Sequence, residues 1–247
     1  MTEYLYGRNP IYESLIAGRR KPVRLSLEKG TQIKKTVKKI VDLCEGNKIS
    51  FDFVSSYEIE KLSGCQHTQG VVLESSRYPY VEVDNILNLA EEKNEDVFLL
   101  LLDLLQDPQN VGTLLRTADA VGVHGVVFQD RRSVGITPSV VNSSSGAVEH
   151  LLVSQVSNLN NTILNLKKKH IWFYGLEGNE KTPSCFETNL TGPVGLVVGN
   201  EGEGLRDLIK KNCDGLIGLP MKGKVESLNA AVAGSVVLYE VWKQRGF

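Results

Sequence analysis

"IGLPMKGKVESLNAAVA", Ile217 to Ala233, is the stretch that decides the fold of this chain. It reads as a short apolar strand, a proline, a loop of glycine and lysine, and a polar pair opening a helix of small residues. Ser227 occupies the expected N-cap position and Asn229 the first turn. A helix mouth of this kind presents unpaired N–H groups to a carboxylate or a phosphate.

Two earlier segments share this character. In "GLVVGNEGEGL", Gly195 to Leu205, an apolar strand runs directly into a loop carrying Gly199, Gly202 and Gly204. In "LLLLDLLQDPQNVGTLLRTADAVGVHGVVF", Leu99 to Phe128, a strand ends in a polar turn with a proline. A helix is expected to start near Asn110, with Asn110 as its cap, and to carry Arg116 in its second turn. Three strand ends that each meet a polar loop imply one site at the carboxyl edge of a parallel sheet, where open α/β folds bind their ligands.

From Val97 onward strands and helices alternate through "VFLLLLD", "GVVF", "NTILNLKKK", "IWFYGL", "VGLVVG", "GLRDLIKK", "GLIGLP" and a final apolar helix. This alternation predicts a mostly parallel sheet covered on both faces. Residues 1–77 predict a smaller α/β unit. Its strands are "VRLSLE", "ISFDFV" and "GVVLES", and its helices a long one with Thr31 as N-cap and a short one over "SYEIEKLSG". Periodicity weakens over 78–96, around Pro79 and a charged cluster, and a linker is expected there.

The three segments resemble, in order, the three signature motifs of the SpoU (TrmH-type) RNA 2′-O-ribose methyltransferases of the SPOUT superfamily. "DPQNVGTLLRTADAVG" matches motif one, "LVVGNEGEGL" motif two and "IGLPMKGKVESLNAAVA" motif three. "SSSGAVEHL" (Ser143 to Leu151) resembles the segment between motifs one and two. "YGRNPIYESL" and "HTQGVVLE" (His67 to Glu74) resemble the substrate-binding domain of bacterial 23S rRNA guanosine methyltransferases of the RlmB type. The resemblance implies an α/β fold in which residues 97–247 form a trefoil-knotted methyltransferase domain. A small L30e/L7Ae-like α/β domain at 1–77 would bind RNA. The implied activity is S-adenosylmethionine-dependent 2′-O-methylation of a guanosine in 23S rRNA, by a cytoplasmic homodimer.

Residue by residue, the resemblance places Asn110, Arg116, Glu201, Ser227 and Asn229 in the catalytic centre. Gly199, Gly202, Leu219, Met221 and Leu228 fall around the S-adenosylmethionine, with Arg116 acting across a dimer interface. Read on its own, Arg116 also suits a helix-surface ion pair with Asp119 three residues on, and Ser227 a plain helix cap. Asn200 stands where a small residue is expected before Glu201. The glycine loop has the order GxxGxG rather than GxGxxG and lies late in the chain, so a dinucleotide fingerprint is weak. Three rival readings remain: a tRNA-directed member of the superfamily, an RNA-binding module without catalysis, and a nucleotide-dependent metabolic enzyme.

Composition narrows the classes further. Residues 1–80 hold 13 basic and 9 acidic side chains, whereas 81–247 hold 15 and 20. The basic excess gathers in "GRRKPVR" and "KKTVKK", a distribution suited to phosphate contacts, although a solvated helix face would look the same. Four scattered cysteines without a CxxC pair exclude a disulfide framework, and neither they nor the four histidines have metal-ligand spacing. No apolar run reaches membrane-spanning length, and the first residues lack the pattern of a signal peptide.

Overall fold

A computed structural model describes residues 2–178, 182–200, 202–224 and 227–246. The chain divides into two compact units. One comprises Met1–Pro79 with Ile136–His150, and the other Tyr80–Gly135 with Leu151–Phe247.

The first unit opens with β1 (Thr2–Tyr6) and α1 (Arg8–Ala17), followed by β2 (Pro22–Glu28), α2 (Thr36–Gly46), β3 (Ser50–Val54), α3 (Ser56–Ser63) and β4 (Val71–Ser76). The strands form one sheet in the order β1-β4-β2-β3, with β2 and β3 parallel and β4 antiparallel to its neighbours. The α3 boundary is written locally. Ser55 and Glu58 close a capping box, and Gly64 ends the helix in the left-handed region. The α2 boundary departs from expectation. Thr31 is not its cap; the helix starts at Thr36, after Lys35 at φ 49°. Lysines at 34 and 35 oppose the positive end of a helix dipole, which disfavours a start at residue 31.

Ile136–His150 contributes α6 (Pro138–Ser143) and a 3₁₀ turn (Ala147–His150) to this first unit. A buried ionic cluster fastens the segment. Arg20 Nε donates to both carboxylate oxygens of Glu149 at 2.9 and 2.8 Å, while its Nη1 pairs with Glu3 and donates to the Ser76 carbonyl at 3.0 Å. Arg20 is 4% exposed and Glu149 0%. The Tyr78 ring lies 5.3 Å from the guanidinium carbon, and Tyr78 donates its hydroxyl to the Val148 carbonyl. Tyr6 O accepts from Asn142 Nδ2, and His150 pairs with Glu13 at 2.8 Å.

The second unit holds a fully parallel six-stranded sheet: β5 (Phe98–Asp103), β6 (Gly125–Gln129), β7 (Leu152–Val156), β8 (Trp172–Leu176), β9 (Val194–Gly199) and β10 (Gly215–Ile217), in the order β10-β8-β9-β5-β6-β7. Its helices are α4 (Val83–Lys93), α5 (Pro108–Ala120), α7 (Leu159–Lys167), α8 (Asp207–Asn212) and α9 (Ala230–Gln244). Every residue of β5 and β9 is buried, as both faces of a covered parallel sheet require. The stretch 78–96, expected as a linker, is largely α4. Ile86 and Ala90 lie one turn apart and are buried, and Ile86 joins the core with Leu99, Val127 and Phe173. The charged exposed face of α4 masks that stripe in the sequence.

Strand order reverses between β5 and β9. The chain moves outward from β5 through β6 and β7, then crosses to the other side. Asp103 and Gly199, the last residues of the two central strands, are register partners. All six strands run the same way, so the loops after β5, β9 and β10 leave one edge of the sheet at this switch point.

Candidate active site

The first loop, from Leu104 to Asp107, opens with Leu104 at φ 59° and ends in the α5 cap. That cap is Asp107, whose carboxylate accepts from the Gln109 N–H at 3.0 Å, with Pro108 at the first helical position. Asn110 therefore lies inside the first turn rather than capping the helix. The expected cap gives way to the Asp-Pro pair, since an aspartate followed by proline is the stronger start signal.

The second loop closes on itself. Asn200 and Gly204 exchange backbone hydrogen bonds at 3.1 and 2.9 Å, and Asn200 Oδ1 accepts from the Gly202 N–H at 2.9 Å. Gly199 is required for this closure: a Cβ there would lie 2.3 Å from the carbonyl carbon of Gly204 and 2.5 Å from the nitrogen of Leu205. Asn200 also donates Nδ2 to the Leu104 carbonyl at 3.1 Å, tying the second loop to the first. The residue that departs from the family's small side chain is thus the one that joins two loops. Gly202 is exposed on this loop, and Glu201 lies outside the described residues.

In the third segment the helix cap is Asn229, not Ser227. Asn229 Oδ1 accepts from the N–H groups of Ala231 and Val232 at 2.9 and 3.2 Å. Ser227 is exposed two residues ahead of the cap. Serine and asparagine cap about equally well, so propensity alone does not choose between them. Asn229 has a second partner: its Nδ2 donates to Asn110 Oδ1 at 3.0 Å. That bond joins the first turn of α5 to the start of α9. The two helices pack along their length. Thr117 and Ser235 hydroxyls lie 2.9 Å apart, and a Cβ at Gly234 would meet Leu114 at 2.5 Å. Leu219 is half-buried, while Met221 and Leu228 are each 43% exposed around the third loop.

Of the residues singled out in the sequence, Asn110 and Asn229 touch directly. Gly199 and Gly202 reach the first loop through Asn200. Arg116 lies exposed on α5, six residues beyond Asn110 and so about 240° around the helix. A pair that sequence reading missed stands at the same edge: Asp103, 1% exposed, and Arg206. The Arg206 backbone N–H donates to Asp103 Oδ2 at 3.0 Å and its Nε to Oδ1 at 2.8 Å. The local signal is the single acid that ends the run "LLLLD".

Three loops fastened at a switch point are the arrangement that the motif order implied, and comparison with known proteins agrees. The description "SpoU rRNA Methylase family" matches residues 97–239, and "RNA 2′-O ribose methyltransferase substrate binding" matches residues 4–81. The chain belongs to the SpoU methyltransferase family. A putative TrmH family tRNA/rRNA methyltransferase of Bacillus subtilis, YacO, is 40% identical over 98% of this chain and 96% of its own length. A Staphylococcus saprophyticus protein described in the same terms is 39% identical over the same shares. Among solved structures, the SpoU methyltransferase AviRb from Streptomyces viridochromogenes, determined in complex with AdoMet, superposes with a TM-score of 0.81. It is 24% identical, covering 99% of this chain and 90% of that one. The SpoU fold of this chain thus extends over both of its units.

Proposed function

We propose that this SpoU methyltransferase binds S-adenosylmethionine at the loops after β9 and β10 and methylates the 2′-hydroxyl of a guanosine in 23S rRNA. The observation that carries the reading is the Asn229–Asn110 bond, which unites motifs one and three beside the closed glycine loop of motif two. The residues fit the cofactor. Met221 and Leu228 leave apolar surface exposed at the third loop, and a purine would cover it. The backbone closure at Gly199 keeps side chains out of the neighbouring turn.

The cofactor supplies a sulfonium-activated methyl group. The chain's task is then placement of the ribose oxygen in line with it. As the O–C bond forms and the C–S bond breaks, the hydroxyl proton leaves to water or a substrate phosphate. Arg116, a guanidinium with donors only, clamps phosphate while polarising the hydroxyl. Ser227, Asn229 and Asn110 orient ribose and cofactor by hydrogen bonds, with Glu201 accepting from substrate.

In this reading the unit containing 1–79 grips RNA through the exposed lysines 29, 34, 35, 38 and 39, and the unit from residue 80 performs the transfer through a trefoil knot. The enzyme works as a cytoplasmic homodimer. Val232, Val236 and Tyr239 form an exposed stripe at spacings of four and three along α9, 47%, 39% and 47% exposed, which a second copy would cover. Among the described residues no helix is long and apolar enough to cross a membrane.

The test is transfer of tritiated methyl from S-adenosylmethionine to unmodified 23S rRNA or bulk tRNA, beside Arg116→Ala. Alkali-stable 2′-O-methylguanosine in rRNA, lost in the variant, is the expected result. Label in tRNA alone, the substrate that the relatives' names also allow, would overturn the rRNA assignment. Absence of cofactor binding would overturn the whole reading.

A further inference from the structure

Arg206 is held more tightly than an arginine beside a short surface helix needs to be. Besides the two bonds to Asp103 from its backbone and Nε, its Nη2 lies 2.6 Å from Asp103 Oδ1 and donates to Gln129 Oε1 at 3.1 Å. Asp103 ends β5 and Gln129 ends β6, so the guanidinium spans the carboxyl ends of two neighbouring strands. Its side chain is still 39% exposed, and Nη1 has no partner among the described residues. The acid that fixes it is fully buried, whereas the cation presents an open edge.

Directly after Gln129 the chain turns through Arg131 and Arg132, both exposed. This turn is fastened to the first loop. Gln106 Nε2 donates to the Arg132 carbonyl at 3.3 Å, and the Val134 N–H donates to the Leu105 carbonyl at 3.1 Å. Arg132 has φ 64°, in the left-handed region that a non-glycine residue enters only at a cost. In the same turn Ser133 Oγ is buried without a hydrogen-bond partner among the described residues. The only acid within the turn is Asp130. This anchored turn directly follows Gln129, which holds Arg206, and so brings two exposed arginines to the strand end at which the third is fixed.

We propose that Arg206, Arg131 and Arg132 form a phosphate subsite for the RNA backbone adjoining the ribose to be methylated. The subsite lies at the carboxyl ends of β5 and β6, and the segment carrying Met221 and Leu228 follows β10 at the same edge of the sheet. One edge of the sheet thereby accommodates both reactants. Asp103 and Gln129 fix the Arg206 guanidinium before RNA arrives, which lowers the ordering cost of binding and leaves Nη1 to donate to a phosphate oxygen, while the forks of Arg131 and Arg132 match phosphate oxygens in pairs. The proposal rests on the RNA-methylating reading above and adds to it a location for the backbone.

The deciding measurement is binding of unmodified 23S rRNA fragments across a salt series, for the intact chain and for Arg131→Ala/Arg132→Ala and Arg206→Gln. S-adenosylmethionine affinity serves as the control for folding. The double variant is expected to weaken RNA binding about tenfold and to reduce the slope of log K against log salt by about 1 to 2. KM for RNA rises while kcat and cofactor affinity stay within about twofold of the parent. Arg206→Gln is expected to weaken RNA binding and flatten its salt dependence in the same direction; should it fail to fold, the double variant decides. Unchanged RNA affinity and salt slope in the double variant would overturn the subsite. The slope is read on binding alone. A chain that binds RNA but transfers no methyl therefore fails the activity reading while the slope still decides the subsite.

Discussion

Asn229 serves two helices at once: its Oδ1 caps α9 while its Nδ2 donates to Asn110 in the first turn of α5. The two roles use different atoms of one amide and so separate by substitution. Asn229→Ala is expected to lose both, lowering stability by about 1 kcal/mol through the lost cap and reducing methyl transfer by at least tenfold. Asn229→Ser retains a capping oxygen but cannot reach Asn110. Thermal denaturation of the serine variant should match the parent while its activity falls with the alanine variant. Full activity in Asn229→Ser would remove the Asn110 bond from the catalytic account.

Gly199→Ala places a methyl group against the backbone of Gly204 and Leu205. The loop must open to admit it, since backbone atoms cannot rotate away as a side-chain tip does. Cofactor affinity measured by calorimetry is expected to fall at least tenfold, about 1.4 kcal/mol, with the far-ultraviolet circular dichroism spectrum retained. An unchanged Kd would place the cofactor elsewhere.

The Arg20–Glu149 pair is buried on both sides. Removing Glu149 leaves the buried Arg20 with Glu3 as its remaining carboxylate, at a cost approaching the roughly 3–5 kcal/mol of a broken buried pair. Urea denaturation of Glu149→Ala should register a loss of that order. The double variant Arg20→Met/Glu149→Leu, which removes both charges, is expected to recover much of it. Equal losses in single and double variants would show that packing, not charge, sets the penalty.

His124 introduces a pH dependence into the second unit. Its Nδ1 accepts from the Phe98 N–H at 3.0 Å, and its Nε2 lies 3.0 Å from Glu95. Burial pushes the imidazole below its ordinary value of 6.5, outweighing the opposing pull of Glu95. Below 6.5 the unfolded chain takes up a proton that the folded chain resists, so stability is full above that pH and declines as pH falls toward the folded value. Denaturation midpoints at pH 7.5, 6.5 and 5.5 should fall in that order. His124→Asn keeps an acceptor for Phe98 but cannot titrate, and should flatten this component.

On α9, Val236→Glu puts a charge in the middle of the exposed stripe of Val232, Val236 and Tyr239. Sedimentation is expected to show a dimer for the parent and a monomer for the variant. A monomeric parent would refute the pairing.

How much of this was legible in the sequence depended on whether the deciding contact was local. The β5 and β9 strands stood out as apolar runs, broken in β5 only by its terminal Asp103, and the final helix by the small and apolar residues that make up most of it. The α4 helix did not, since only Ile86 and Ala90 are fully buried, with Val83 and Leu87 packed partly against the core, and its remaining positions are mostly polar or charged. The cap of α5 was available in the Asp107–Pro108 pair but was outweighed by attention to Asn110. Ser227 and Asn229 cannot be ranked by capping propensity, and the bond that distinguishes them reaches across more than a hundred residues of sequence. Asp103 and Arg206 are likewise more than a hundred residues apart in sequence. Nothing around either residue announces the other.

The assignment of Ile136–His150 to the amino-terminal unit has a consequence for modularity. The chain enters the substrate unit at the start, leaves it after Pro79, returns at Ile136 and leaves again after His150. Cutting near residue 80 would strip that unit of Glu149 and leave the buried Arg20 with Glu3 as its remaining carboxylate. What looks in sequence like a detachable head followed by a catalytic body is instead an interleaved pair. Grafting this RNA-gripping unit onto another methyltransferase would require carrying the inserted segment along with it.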